Sequence, residues 1–294
     1  MSPIATGPVS GGEIPGSVGL SRAPQKRSPR VSTARRDALV TNAARAAVLA
    51  VGLALWQFIP RLMAGDNLVI LNPLFISSPT RIGADLLHIA SSGLILQALW
   101  STVSASLLGL AVGVAAGYIV ALIFGELTWV ASVLMIYVDG INAVPRIALF
   151  PLIVILVGFG PLSKIIGAMI VVFFIIFYNA YQGTRSVPAE TINAYAIIGA
   201  RRWFIVRYIR AYVAFGWAVA QFPTAVAFSL VAVITTEILV SNSGLGYLLT
   251  SAMDLLDSTR VFSIIFVAAA VGVLLSGGAR LIVGRLFPWI DVVA

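Results

Sequence analysis

The sequence predicts an all-α polytopic membrane protein of about six spans, and three observations carry that expectation. Hydrophobic residues make up 60% of the 294, mean hydropathy is +1.01 and only 10% are charged, a balance foreign to water-soluble domains. Six apolar runs, at about 46–63, 98–124, 129–157, 164–181, 212–240 and 261–284, approach or exceed the ~20 residues that cross a bilayer. The 19 basic residues gather beside these runs, so the formal charge of +8 reports orientation in a membrane rather than contact with nucleic acid. Cysteine is absent, which excludes a disulfide framework, a thiolate metal site and a thiol nucleophile.

Residues 1–44 are rich in Gly, Pro, Ser and Arg and read as a disordered basic tail, with 45–290 forming the membrane domain. Arg22, Lys26, Arg27, Arg30, Arg35 and Arg36, with Arg45 at the border, hold the tail in the cytoplasm and give it some affinity for anionic lipid. No short apolar region with a small-residue cleavage site is visible, so a secretory signal is not expected. The first span is marginal in length and ends near Pro60. A turn at Ser77-Ser78-Pro79 then leads into a short amphipathic helix carrying His88. A lone histidine in a chain without cysteine is no metal site, and no metal is expected.

Gly109, Gly113 and Gly117 in the second span recur every fourth residue and share one helix face, where another helix can approach closely. Such a seam serves either a second subunit or packing within one chain, and small-residue seams favour the second, since any helix pair can use them. The third span is interrupted by Asp139, Asn142, Pro145, Arg146 and Pro151. Charges inside a membrane face a cavity or one another, and the prolines free carbonyls and bend the helix. Asp139 and Arg146 stand two turns apart on one face; either they line a path, Arg146 offering its charge to an anion, or neighbouring helices satisfy them. Gly158-Phe159-Gly160-Pro161 makes a tight turn before the fourth span. Glu237, near the end of the fifth, faces the path or the interfacial water, and the path is the reading preferred. Gly244 and Gly246 follow, but the chain contains no Gly-Lys-Ser/Thr and so no phosphate loop.

The polar stretch between the fourth and fifth spans organises the rest. Pro188 suits the first turn of a helix, Ala194, Ala196, Ile197 and Ile198 give it an apolar side, and Gly199 ends it or admits a close neighbour. Arg185, Arg201, Arg202, Arg207 and Arg210 surround it. A basic amphipathic helix of this kind lies among lipid headgroups or is a handle for a soluble partner; the residues alone favour the headgroups. Six spans put both termini on one side. The tail, the 184–210 loop and the C-terminal end then hold fourteen basic residues, against Arg61, Arg81, Lys164 and Arg260 outside and Arg146 in the membrane. The loop is therefore expected in the cytoplasm.

Asn193-Ala194-Tyr195, Gly199 four residues on and Ile209 ten further resemble the E-A-A, three residues, G, nine residues, I-x-L-P loop of bacterial ABC importer permeases. Asn193 stands for the Glu of that motif, Tyr195 for its second Ala, and Ala211-Tyr212 for its Leu-Pro. The stretches A-V-P-R-I-A-L-F-P-L-I-V-I-L-V-G-F-G-P-L-S-K and T-T-E-I-L-V-S-N-S-G-L-G-Y-L-L look like those of the nitrate, taurine and aliphatic-sulfonate group, and the likeness runs in order over about 72–289.

The resemblance implies a type I importer permease of six helices in a bacterial inner membrane. It implies a pair of permease subunits, here two copies of this chain, with two ATPase subunits and an external substrate-binding protein. ATP and Mg are then bound by the ATPase partners, and this chain carries neither catalytic residue nor cofactor. Asn193, Ala194, Tyr195, Ala196, Gly199, Ala200, Arg201, Arg202 and Trp203 would form the coupling element within 185–210. It would pass the closing motion of the ATPases to the spans in an alternating-access cycle. Close tertiary contacts are expected at Gly199. Asp139, Asn142, Arg146 and Glu237 are the candidates for the translocation path. The substrates of the group are small anions such as sulfonates, taurine and nitrate, and also uncharged heterocycles. An ATP-independent secondary transporter or channel is the rival, but no internal repeat is visible. A membrane-embedded enzyme would need a cluster of catalytic side chains that the sequence lacks.

Overall fold

The computed structural model describes residues 31–62 and 76–289. The chain divides into two units, Met1–Gly52 and Leu53–Ala294. Helix α1, Val31–Leu62, runs through that division. Residues 31–44, expected in the tail, are its first turns, and the remainder of the tail lies outside the described residues. The second unit holds the other elements: α2 (Pro79–Ser91), α3 (Leu94–Glu126), α4 (Thr128–Ala143), α5 (Arg146–Val157), α6 (Pro161–Arg185), α7 (Ala189–Ile197), α8 (Arg202–Ile205), a π-helical turn (Val206–Arg210), α9 (Ala211–Ala220), α10 (Phe222–Val240), α11 (Leu245–Asp254) and α12 (Ser258–Leu286).

The centre of the second unit is a parallel pair, α3 and α6, joined along small residues. A Cβ on Gly109 would lie 2.5 Å from that of Ala168; on Gly113, 2.8 Å from the Met169 carbonyl oxygen; on Gly117, 2.7 Å from that of Phe173. The four-residue ladder runs on through buried Ala121 to Gly125, which packs on Thr184. The glycine face is thus taken up within the chain, the alternative that its small residues favoured. Apolar side chains of both helices, Val172, Ile176, Phe177 and Ala180 among them, form the main core with Leu110 and Phe124. Helix α10 runs antiparallel beside them: Ser229 Oγ donates to the Ser106 carbonyl at 2.8 Å, a bond that satisfies a hydroxyl with no water at hand.

Four helices, α3, α6, α10 and α12, are each long and apolar enough to cross a bilayer, and α4 with α5 makes a fifth if the bent pair is one span. The pair bends by 93° at Val144-Pro145, because the residue before a proline is driven out of the helical region; Val144 sits at ψ 131°. It advances along α6 as a span does: Ala131 packs near Phe124 and Ala180, Asp139 meets Tyr178, and Phe150 reaches Gly167. Among the described residues the helices of spanning length and hydropathy are therefore four, or five with the bent pair as one, against about six expected. α1 covers the first expected span, but its apolar stretch lies between Arg45 and Arg61, about 22 Å of helix against about 30 Å of hydrocarbon. The fifth expected span is two helices, α9 and α10, parted where Pro223 starts a new first turn. α2 forms where expected, with Ser78 as N-cap. Its Asp85 accepts a forked bond from Arg260 at the start of α12, at 2.9 and 3.1 Å. α11, which the sequence did not announce, closes the connection between α10 and α12.

Candidate functional site

The bundle has two ends about 37 Å apart along α6, and each is built around charge. At one end the basic loop leaves α6. Pro188 is the N-cap of α7, one place earlier than the first-turn position expected, and Glu190 lies in the first turn, where the helix dipole favours a carboxylate. The helix ends in a Schellman arrangement: the Gly199 N–H donates to the Ala196 carbonyl and the Ala200 N–H to that of Tyr195, both at 3.0 Å. Gly199 has φ +82°, a left-handed conformation that explains the glycine. The close tertiary contacts expected there are absent: no atom lies within 4 Å of where its Cβ would be.

None of the α7 side chains is buried. Ile197 is 85% exposed, Ile198 76% and Trp203 68%, and Asn193, Ala194, Tyr195, Ala196, Arg201 and Arg202 are exposed with them. An open groove of about 500 Å³ runs between Tyr195, Gly199, Ala200 and Trp203. The element is nonetheless held. Tyr195, Phe204 and Tyr208 form a chain of ring contacts. Arg202 and Arg210 both pair with Glu126, and they also donate to carbonyls at the C-terminal end of α3, where the helix dipole favours cations. Glu126 was not singled out from the sequence. The signal was there, a lone carboxylate closing an apolar span on the side where arginines gather.

Halfway along α6 a polar group faces outward. Asp139 accepts a hydrogen bond from the Tyr178 hydroxyl, and Arg146 donates to Asn142 Oδ1, both at 2.7 Å. The Arg146 guanidinium lies 5.8 Å from the centre of the Phe174 ring. Asp139 and Arg146 do not pair: the bend falls between them, and among the described residues Arg146 has no carboxylate within ion-pair distance. Three of the four path candidates therefore share one partly exposed surface at mid-span, beside the positive N-terminal end of α5.

The fourth is elsewhere. Glu237 is sealed at the other end of the bundle, its side chain 0% exposed, and is paired at 2.9 Å with Lys164, which is 2% exposed. Lys164 was expected among the basic residues on the outer side, and the structure buries it within the bundle. Its ammonium also donates to Ser101 Oγ at 3.0 Å and to the Ser243 carbonyl at 2.7 Å. Glu237 accepts from Thr102 at 2.9 Å and from the Gly246 N–H at 3.0 Å. Every polar valence is used, as a low-dielectric site demands. Gly244 and Gly246 admit the carboxylate, since a Cβ on Gly244 would overlap its oxygens. The pair fastens α6, α10, α3 and the loop before α11 into one knot. Among the described residues no three His, Asp or Glu side chains converge as a metal site would require.

The chain is 27% identical over 237 residues to the riboflavin transport system permease protein of Chloroflexus aurantiacus, covering 81% of this chain and 86% of that one. It is 29% identical over 259 residues to the taurine transport system permease protein of Escherichia coli, covering 82% and 87%. A putative aliphatic sulfonates transport permease protein of Bacillus subtilis is 22% identical over 82% of this chain and 85% of its own length. Residues 113–288, from the middle of the glycine ladder through the basic loop and the buried ion pair to the end of α12, match the binding-protein-dependent transport system inner membrane component family. With that match over more than half of its length, the chain belongs to this family of multi-pass ABC transport permeases.

Proposed function

We propose that the chain is the membrane subunit of an ATP-driven importer, and that α7 with the residues through Trp203 is the handle by which ATPase subunits move it. The observation that carries this reading is an ordered, capped helix with no fully buried residue, followed at once by a segment that Arg202 and Arg210 bolt through Glu126 to the end of α3. Such an element transmits motion, whereas a helix lying in headgroups needs no anchor of this kind. The loop faces the cytoplasm, where ATP and Mg reach the partner subunits, and with α1 as a short sixth crossing both termini lie on that side. Two copies of this chain pair in the membrane, and an external binding protein delivers the solute. The surface of Asp139, Asn142 and Arg146 lines the path between the copies. The substrate is a small anion of the sulfonate, taurine or nitrate kind; the relatives' names span a flavin and two sulfur acids, so this rests on the unpaired charge of Arg146.

The absence of cysteine makes the test direct, because Ile197→Cys introduces a single thiol. In complexes purified from native membranes that thiol is expected to cross-link to an ATPase subunit. Labelling by lipid-soluble reagents alone, with no protein adduct, would return the loop to the headgroups and restore the ATP-independent reading.

A further inference from the structure

Where the basic loop leaves the bundle, the ends of α3 and α6, the start of α4 and one side of α7 enclose a cavity of about 520 Å³. Arg185 and Arg210 line it with the hydroxyls of Thr128 and Ser132, over apolar Phe124 and Met135. Its charge does not cancel. Glu126, the carboxylate bonded here, is shared by Arg202 and Arg210, while Arg185 is held by the Tyr181 hydroxyl at 3.1 Å and lies over that ring. Arg210 Nε is buried and is the side-chain atom that finds no hydrogen-bond partner among the described residues. A buried guanidinium N–H beside a cationic cavity calls for an anionic oxygen. The level in the membrane is marked by Trp129, 75% exposed next to Thr128, and by Tyr181, the side-chain types that collect at the headgroups.

We propose that this cavity binds the phosphate of an anionic phospholipid headgroup, with Arg185 and Arg210 on its oxygens and the first carbons of the lipid against Phe124 and Met135. A cationic rim over an apolar floor fits the end of a lipid better than a free ion, which gains nothing from the floor. Ile192 of α7 also lines the cavity, so an occupied site braces the handle against α3 and α4. This rests on the loop facing the cytoplasmic leaflet, but its test needs no ATPase, so the two proposals can fail separately.

The test is lipid retention by the full-length chain, purified in detergent and observed by native mass spectrometry. The wild-type chain is expected to keep phosphatidylglycerol on the order of tenfold better than phosphatidylcholine. The Arg185→Gln/Arg210→Lys variant keeps a cation for Glu126 and is expected to lose that preference. Arg285→Gln, an exposed arginine outside the cavity, is expected to retain it. Equal preference in the double variant and the wild type, or equal loss in Arg285→Gln, would overturn the proposal. So would binding of inorganic phosphate without retention of any lipid, which would make the ligand a soluble anion.

Discussion

Glu237→Ala is expected to destabilise the protein by about 3–5 kcal/mol, because it strands the Lys164 ammonium in a site closed to water. The same change removes the acceptor for Thr102 and for the Gly246 N–H. Against a total stability of about 5–15 kcal/mol such a loss is severe. In detergent, the apparent unfolding midpoint followed by fluorescence-detected gel filtration should fall on the order of 10 °C. The knot is more than the sum of its members, so the informative comparison is Lys164→Met/Glu237→Leu. Removing both charges leaves Thr102 and the Gly246 N–H short of a partner but no buried ion, and most of the lost stability should return. A double variant as unstable as Glu237→Ala would show that packing of the loop, not charge compensation, is what the pair supplies.

Gly113→Leu should be nearly as damaging by a different route. A Cβ there would already meet the Met169 carbonyl oxygen at 2.8 Å and Val172 Cγ1 at 2.9 Å, both on α6. A whole leucine forces the central pair apart, and overpacking of a tight core costs about 1–3 kcal/mol or more. Gly277→Leu on α12 is the control, since nothing lies within 4 Å of its Cβ position and leucine is the better helix former. Folded yield should collapse for the first and hold for the second. Equal yields would mean that α3 and α6 are not the joint about which the bundle is assembled.

The sequence alone made some of this legible and hid the rest for identifiable reasons. Periodicity every four residues revealed the glycine face, though not that Ala121 and Gly125 extend it to the C-terminal end of α3. Pro145 gave away the bend, and the bend in turn explains why Asp139 and Arg146, two turns apart on paper, take separate partners. Gly199 was read as a helix stop or a place of close approach, and only the structure separates the two, since a left-handed φ and a tight contact both call for glycine. Lys164 and Glu237 escaped because 73 residues separate them and each stands beside a turn, where a charge suggests water. One inference was open: a charge at the start of the fourth span and one at the end of the fifth fall at the same end of an up-and-down bundle. α11 went unannounced, since a ten-residue helix with one glycine before it and another in its first turn reads as loop.

The central claim is that the capped helix at Ala189–Ile197 is a handle for ATPase subunits, and co-purification tests it most directly. The chain is extracted gently from its native membrane, and the proteins that accompany it are identified. The expected result is an ATPase subunit recovered with the wild type and lost with Ile197→Asp/Ile198→Asp or with Gly199→Arg. All three positions face open space within the chain; the two aspartates should leave folded yield unchanged, while Gly199→Arg also strains a φ of +82° at a cost of about 1–2 kcal/mol, confined to the end of α7. A chain that emerges alone and stably folded, or that keeps its ATPase when both isoleucines carry charge, would contradict the claim.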